Sequence, residues 1–127
     1  NVSQVVPLPI ARLHHSLDSL WLEGLIAATV TSFTDCGDVC TDVIGPMIDR
    51  LMESGVDGLY VCGSTGEGMS LTCKERKRVV EATVEAARGR VPVVVQVGHH
   101  RLKDARDLSE HAALTGAAAI SATCPSY

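Results

Sequence analysis

The residues best suited to chemistry lie in one stretch, "GLYVCGSTGEGMSLTCKERKRVV", Gly58 to Val80. An apolar run, Leu59 to Cys62, stops at Gly63. Ser64, Thr65, Gly66, Glu67 and Gly68 follow, and then a charged segment with helical patterning. Two hydroxyls among glycines, where a buried strand ends, can surround a small anion with O–H and backbone N–H donors. The same stretch also reads as a plain strand-to-helix turn, in which glycine supplies positive φ and Ser or Thr bonds locally. The pattern leaves both readings open. It is neither a P-loop, since no Gly-Lys-Ser/Thr follows, nor a G-x-G-x-x-G fingerprint.

Other polar residues carry weaker signals. Glu67 could act as a base, but just ahead of a helix it is expected to support the turn. His99 and His100 follow an apolar run and are expected to be loop histidines, with contact to a substrate as the sharper alternative. His111 is expected on a solvated helix face, and Tyr60 in the core. The lysines, Lys74, Lys77 and Lys103, fall at charged helix starts. A lysine that attacks a carbonyl needs a desolvated pocket to lose its proton, so none of these is a credible nucleophile.

The elements that would position these residues alternate regularly. "GLIAATVTSF" from Gly24 is an apolar, β-branched run fit for a buried strand. "DVIGPMIDRLMESG" has helical spacing and a stop at Gly55. "GLYVCG" is the second strand. The second helix, "TCKERKRVVEATVEAARG", opens with a capping box, Thr72 to Glu75, and closes at Gly89. "VPVVVQVG" is the third strand, "LKDARDLSEHAALTG" the third helix with a stop at Gly116, and "AAAISATCP" the fourth strand. Buried strands alternating with helices mean parallel β/α units with right-handed crossovers. Residues 1–23 stand apart as an N-terminal extension. Pro7 and Pro9 suit an extended lead-in, and Leu13, Leu17, Leu20 and Trp21 would share one face of a short helix. Residues 24–127 form the β/α unit.

Two architectures fit. One is a small doubly wound sheet that is complete as it stands. The other is the N-terminal half of a (β/α)8 barrel, whose full length is typically about 250 residues. Both place function at the C-terminal strand ends. Those ends read Thr29 to Ser32, Gly63 to Glu67, Gly98 to His100, and Thr123 to Tyr127.

The chain has 127 residues, 46% of them apolar, and a net charge of −4, which is ordinary for a globular protein. Without a basic stripe, neither nucleic acid nor an anionic membrane is an expected partner. No run is long enough to span a bilayer, and the first residues do not read as a signal peptide. Five cysteines cannot all pair. Cys36 and Cys40 are spaced C-x3-C, but no second pair stands at zinc-finger spacing. Reduced thiols in the cytoplasm, with no metal and no cofactor, are the expectation. The chain opens on Asn1 rather than methionine, so upstream residues that are missing or processed away are an expectation.

"GLIAATVTSF", "GSTGE", "VVVQVGHH" and "ISATCPSY", in this order and spacing, resemble the dihydrodipicolinate synthase / N-acetylneuraminate lyase family across residues 24–127. The resemblance implies a (β/α)8 barrel, commonly a homo-oligomer, acting as a class I aldolase on pyruvate. It implies that Gly63, Ser64 and Thr65 bind the keto-acid carboxylate, and that Ser64 joins a hydroxyl relay toward the reacting centre. Tyr127 matches a tyrosine that reaches a neighbouring subunit's site in the synthases. Ser64 and "QVGHH" lean toward the lyases. A condensation of the dihydrodipicolinate synthase type is the alternative within the family. The family's Schiff-base lysine lies on the sixth strand and its proton-moving tyrosine on the fifth, both beyond these residues. Alone, residues 1–127 are therefore expected to be inactive. A complete anion-binding module and a non-catalytic remnant are the readings of another class. A half barrel would also leave two open edges, at its first and fourth strands, which invites association.

Overall fold

The computed structural model describes residues 22–124 and the backbone of a short strand, Gln4–Pro7. The elements are β1 (Gln4–Pro7), β2 (Ile26–Ala28), α1 (Ile44–Glu53), β3 (Gly58–Val61), α2 (Cys73–Ala87), β4 (Val93–Gln96), α3 (Leu102–Thr115) and β5 (Ala119–Ala122). The expected helix through Leu13, Leu17, Leu20 and Trp21 lies outside the described residues, as does Tyr127.

β2, β3, β4 and β5 lie parallel and side by side in chain order. Each crossover therefore steps the same way, and right-handed connections put every helix on one face. The packing agrees, since α1 lies against α2 and α2 against α3. A doubly wound sheet would have helices on both faces, so this is the barrel arrangement.

Two expectations need correction. The first strand is far shorter than "GLIAATVTSF" suggests. β2 has one neighbour among the described residues, β3, and β3 ends at Val61, where Cys62 turns to φ 58°. Past Thr29, whose N–H reaches the Tyr60 carbonyl at 3.0 Å, no ladder remains to join. The chain instead folds back on itself, with Phe33 bridged to Val39, and leaves Val30 and Phe33 exposed. The second correction concerns the edges. The outer edge of β5 is not open, because β1 pairs with it antiparallel, Gln4 opposite Ala122 through Pro7 opposite Ala119. The four parallel strands thus gain a fifth, antiparallel one.

Alternation along the strands sorts the two faces. Leu59 and Val61 of β3, and Val93 and Val95 of β4, point under the helices and are almost fully buried. Ile48 of α1, and Val79, Val80 and Ala87 of α2, close over them. Full burial of each such aliphatic side chain contributes about 1.5–3 kcal/mol. The capping box at α2 forms as read: Thr72 Oγ1 accepts the Glu75 N–H at 3.2 Å, and Glu75 Oε2 accepts the Thr72 N–H at 2.7 Å. The Thr72 N–H, and the Thr72 hydroxyl at 2.8 Å from the same oxygen, hold the Glu75 carboxyl below its usual range. α3 stops at Gly116, in the left-handed region at φ 100°. His111 is not solvated as expected: it bonds Glu81 Oε1 at 2.7 Å and joins α3 to α2.

The unexpected core residue is Arg76. It is 1% exposed and lies on the apolar side of α2 with Val79, Val80 and Thr83. Its Nη1 donates to the Gly98 carbonyl at 2.8 Å and its Nη2 to the Gln96 carbonyl. The guanidinium thus ties the start of α2 to the exit of β4. Arg76→Met keeps the apolar stem and removes both donors. It should cost about 2–4 kcal/mol, because two buried carbonyls lose charged partners. Urea unfolding of the two proteins measures this; a change under about 0.5 kcal/mol, the range of a neutral surface substitution, would show the tie to be dispensable.

Candidate active site

The face away from the helices carries polar side chains among small apolar ones. β3 presents Tyr60 there, β4 Gln96 and β5 Ser121, and the register puts Gln96 beside Ser121. The Tyr60 hydroxyl donates to Ser121 Oγ at 3.0 Å, and Gln96 Nε2 donates to Thr123 Oγ1 at 3.0 Å. Gln96 Oε1 turns back to accept the Gly98 N–H, which ties it to the strand exit that Arg76 holds. A cavity of about 410 Å³ opens over these groups, and Ser64 and Thr65 line its rim.

The rim loop follows from its sequence. After Cys62 the chain reverses: the Gly68 N–H donates to the Gly63 carbonyl at 3.1 Å and the Glu67 N–H to the Ser64 carbonyl at 3.1 Å. Thr31 Oγ1 donates to the Gly66 carbonyl at 2.6 Å, fastening the loop to the chain beyond β2. Neither sequence reading of the glycines fits. The left-handed residues are Cys62 and Glu67, at φ 58° and 53°. The glycines are needed for packing instead. A Cβ on Gly68 would overlap the Cys62 carbonyl, and one on Gly63 would strike the Tyr60 ring. The protein's own atoms fill that space, so the loop is folded tightly on β3, and Ser64, Thr65 and Glu67 are exposed on it.

The structure places Gly63, Ser64 and Thr65 on one cavity. The Glu67 main chain is part of the turn, its carbonyl accepting the Ser70 N–H at 2.8 Å. Tyr60 is corrected from core to cavity wall. Strand alternation was the available signal: Tyr60, Gln96 and Ser121 interrupt otherwise apolar strands on one face. Arg76 was legible in the same way, at helical spacing with Val79, Val80 and Thr83. His99 and His100 are not among the residues around the cavity. Lys74 and Lys103 are exposed, and Lys77 pairs with Asp107 at 2.6 Å, so no lysine of the chain lines it.

Cys62 is also part of the wall, but it is not a nucleophile. Burial pushes its thiol up from 9.0 to about 11, against the opposing pull of the Arg76 cation. In the unfolded chain this thiol ionises from pH 9.0 upward, while in the fold it keeps its proton to about 11. Its contribution to stability is therefore complete below pH 9 and lost between pH 9 and about 11. Cys62→Ala should flatten that alkaline limb. Unfolding midpoints measured from about pH 8 to 11 test this, and parallel curves for the two proteins would contradict it.

Comparison with known proteins places this geometry. Residues 21–127 match the dihydrodipicolinate synthetase family. The chain is 48% identical over 108 residues to N-acetylneuraminate lyase B of Xenopus laevis, a match covering 84% of the chain and 41% of the relative. Among solved structures it is similar to CdNal from Clostridium difficile, determined in complex with mannosamine, at TM-score 0.78 and 33% identity over 84% of the chain and 37% of that protein. It is also similar to YagE, a prophage protein of E. coli K12 belonging to the dihydrodipicolinic acid synthase family and solved in complex with pyruvate, at TM-score 0.73 and 34% identity over 76% of the chain and 32% of that protein. The chain thus spans less than half the length of these relatives. With its parallel β/α units and its strand-end cavity, the chain belongs to the dihydrodipicolinate synthetase family.

Proposed function

We propose that these residues are the carboxylate-binding half of a pyruvate-dependent class I aldolase of the N-acetylneuraminate lyase type. The observation that carries this reading is the pairing of Ser64 and Thr65 at the rim of a strand-end cavity that Tyr60, Gln96, Ser121 and Thr123 also line. Two outward hydroxyls on a rigid loop suit a small carboxylate, because the donors are fixed before the ligand arrives. Tyr60, Ser121, Gln96 and Thr123 line the cavity below them. The lyase names of the relatives and the pyruvate complex of YagE support the same substrate class.

In the whole protein a lysine from the missing strands would condense with the keto group and release water. Cleavage of the carbon–carbon bond would then free an aldehyde and leave the pyruvate carbons as an enamine on that lysine. Ser64 and Thr65 hold the carboxylate through both steps, with Gly63 in the binding turn. Ser64 and Tyr127 serve the proton relay, Tyr127 in the site of a neighbouring copy in a homo-oligomer.

Two measurements test this. In the protein expressed from its complete reading frame, Ser64→Ala should lower kcat roughly tenfold to a hundredfold and raise KM as well, as expected for a donor that acts in the transition state. Unchanged kinetics would remove the hydroxyl from the mechanism. Pyruvate with borohydride should leave no stoichiometric adduct on Lys74, Lys77 or Lys103, whose amines are exposed or ion-paired. The complete protein should carry one adduct on a lysine beyond residue 127. An adduct on any of the three would refute the assignment, and none in the complete protein would indicate a non-catalytic remnant.

A further inference from the structure

Outside the cavity, three side chains from three segments meet. Cys73 is the first residue of α2, His99 follows β4, and Asp104 lies in the first turn of α3. One ligand atom from each, Sγ, a ring nitrogen and a carboxylate oxygen, lies within 4.8 Å of the other two, and all three residues are half-buried. These are the atom types of a zinc site, and a thiolate with an imidazole disfavours magnesium or calcium.

The Arg101 N–H donates to His99 Nδ1 at 3.0 Å, so a metal bound at that nitrogen takes the place of this exposed hydrogen bond. Asp104 Oδ2 stands 3.5 Å from the same nitrogen. A tetrahedral zinc with ligands at about 2.1 Å holds such a pair roughly 3.4 Å apart. The Arg101 guanidinium now supplies part of the charge, with Nη1 at 3.3 Å from Oδ2, but it is 71% exposed and can swing away.

We propose that Cys73, His99 and Asp104 bind one zinc ion, with the fourth position open. The ion pins the starts of α2 and α3 to the exit of β4.

The test uses the protein from its complete reading frame, stripped with a chelator. Titrated with Co²⁺, it should take up one ion with thiolate-to-cobalt charge-transfer absorption, which Zn²⁺ displaces. Cys73→Ser should abolish the band, and Asp104→Asn should weaken binding about tenfold or more. Arg101→Ala should tighten it roughly two- to fivefold, since it removes a competing exposed cation. Saturating Zn²⁺ should also protect Cys73 from iodoacetamide in the unsubstituted protein, read by peptide mass. That reading does not depend on any variant folding. A band that survives in folded Cys73→Ser, or labelling of Cys73 that ignores Zn²⁺, overturns the site.

Discussion

One buried cation, the guanidinium of Arg76, organises the end of the sheet where the cavity lies. It stands under the strand exits with carbonyls for partners, and no carboxylate ion pair joins it among the described residues. Its Nε finds no hydrogen-bond partner there either. A buried charge is costly unless its donors are used, so the two carbonyls at the β4 exit are held where they can receive them. Holding the backbone at Gln96 and Gly98 in turn aims the Gln96 side chain, which reaches Thr123 on the next strand. The polar floor of the cavity thus rests on a contact made from the helical side of the sheet.

The sheet separates two kinds of cohesion. Under the helices, Leu59, Val61, Val93 and Val95 pack by shape, with no direction required. Across the sheet, Tyr60 with Ser121, and Gln96 with Thr123, are joined by directional bonds between neighbouring or next-neighbouring strands. A surface built from such pairs is held by direction as well as by shape, unlike the face under the helices.

Much of this was legible from residue order. The helices follow from spacing, and α2 from a capping box whose partners are three residues apart. Such features are local, and local contacts decide them. The misreadings of strand length, edge cover and His111 are non-local. "GLIAATVTSF" looks like a long strand, but its length is set by how far β3 runs beside it. The cover on β5 comes from Gln4–Pro7, more than a hundred residues away in the chain. His111 has a solvated helix pattern until Glu81 of a neighbouring helix is brought to it. Ser64 and Thr65 stood out because they lie in one short run of sequence between a strand and a helix. Tyr60, Gln96 and Ser121 form a wall only once three strands are in register.

The crowding around the loop glycines bears on how this site can diversify. Gly63, Gly66 and Gly68 are each blocked by backbone or ring atoms, so no side chain can be tried at those positions without rebuilding β3. Glu67 holds a left-handed conformation that asparagine or glycine would also accept. Chemical variety is therefore confined to two neighbouring places, 64 and 65. A lineage built on this loop can exchange serine for threonine, or alter the reach of a donor, while the scaffold stays fixed. For a protein engineer, a library of new acceptors belongs at those two codons and across the sheet at Tyr60 and Gln96, whereas randomising the glycines would yield mostly unfolded chains.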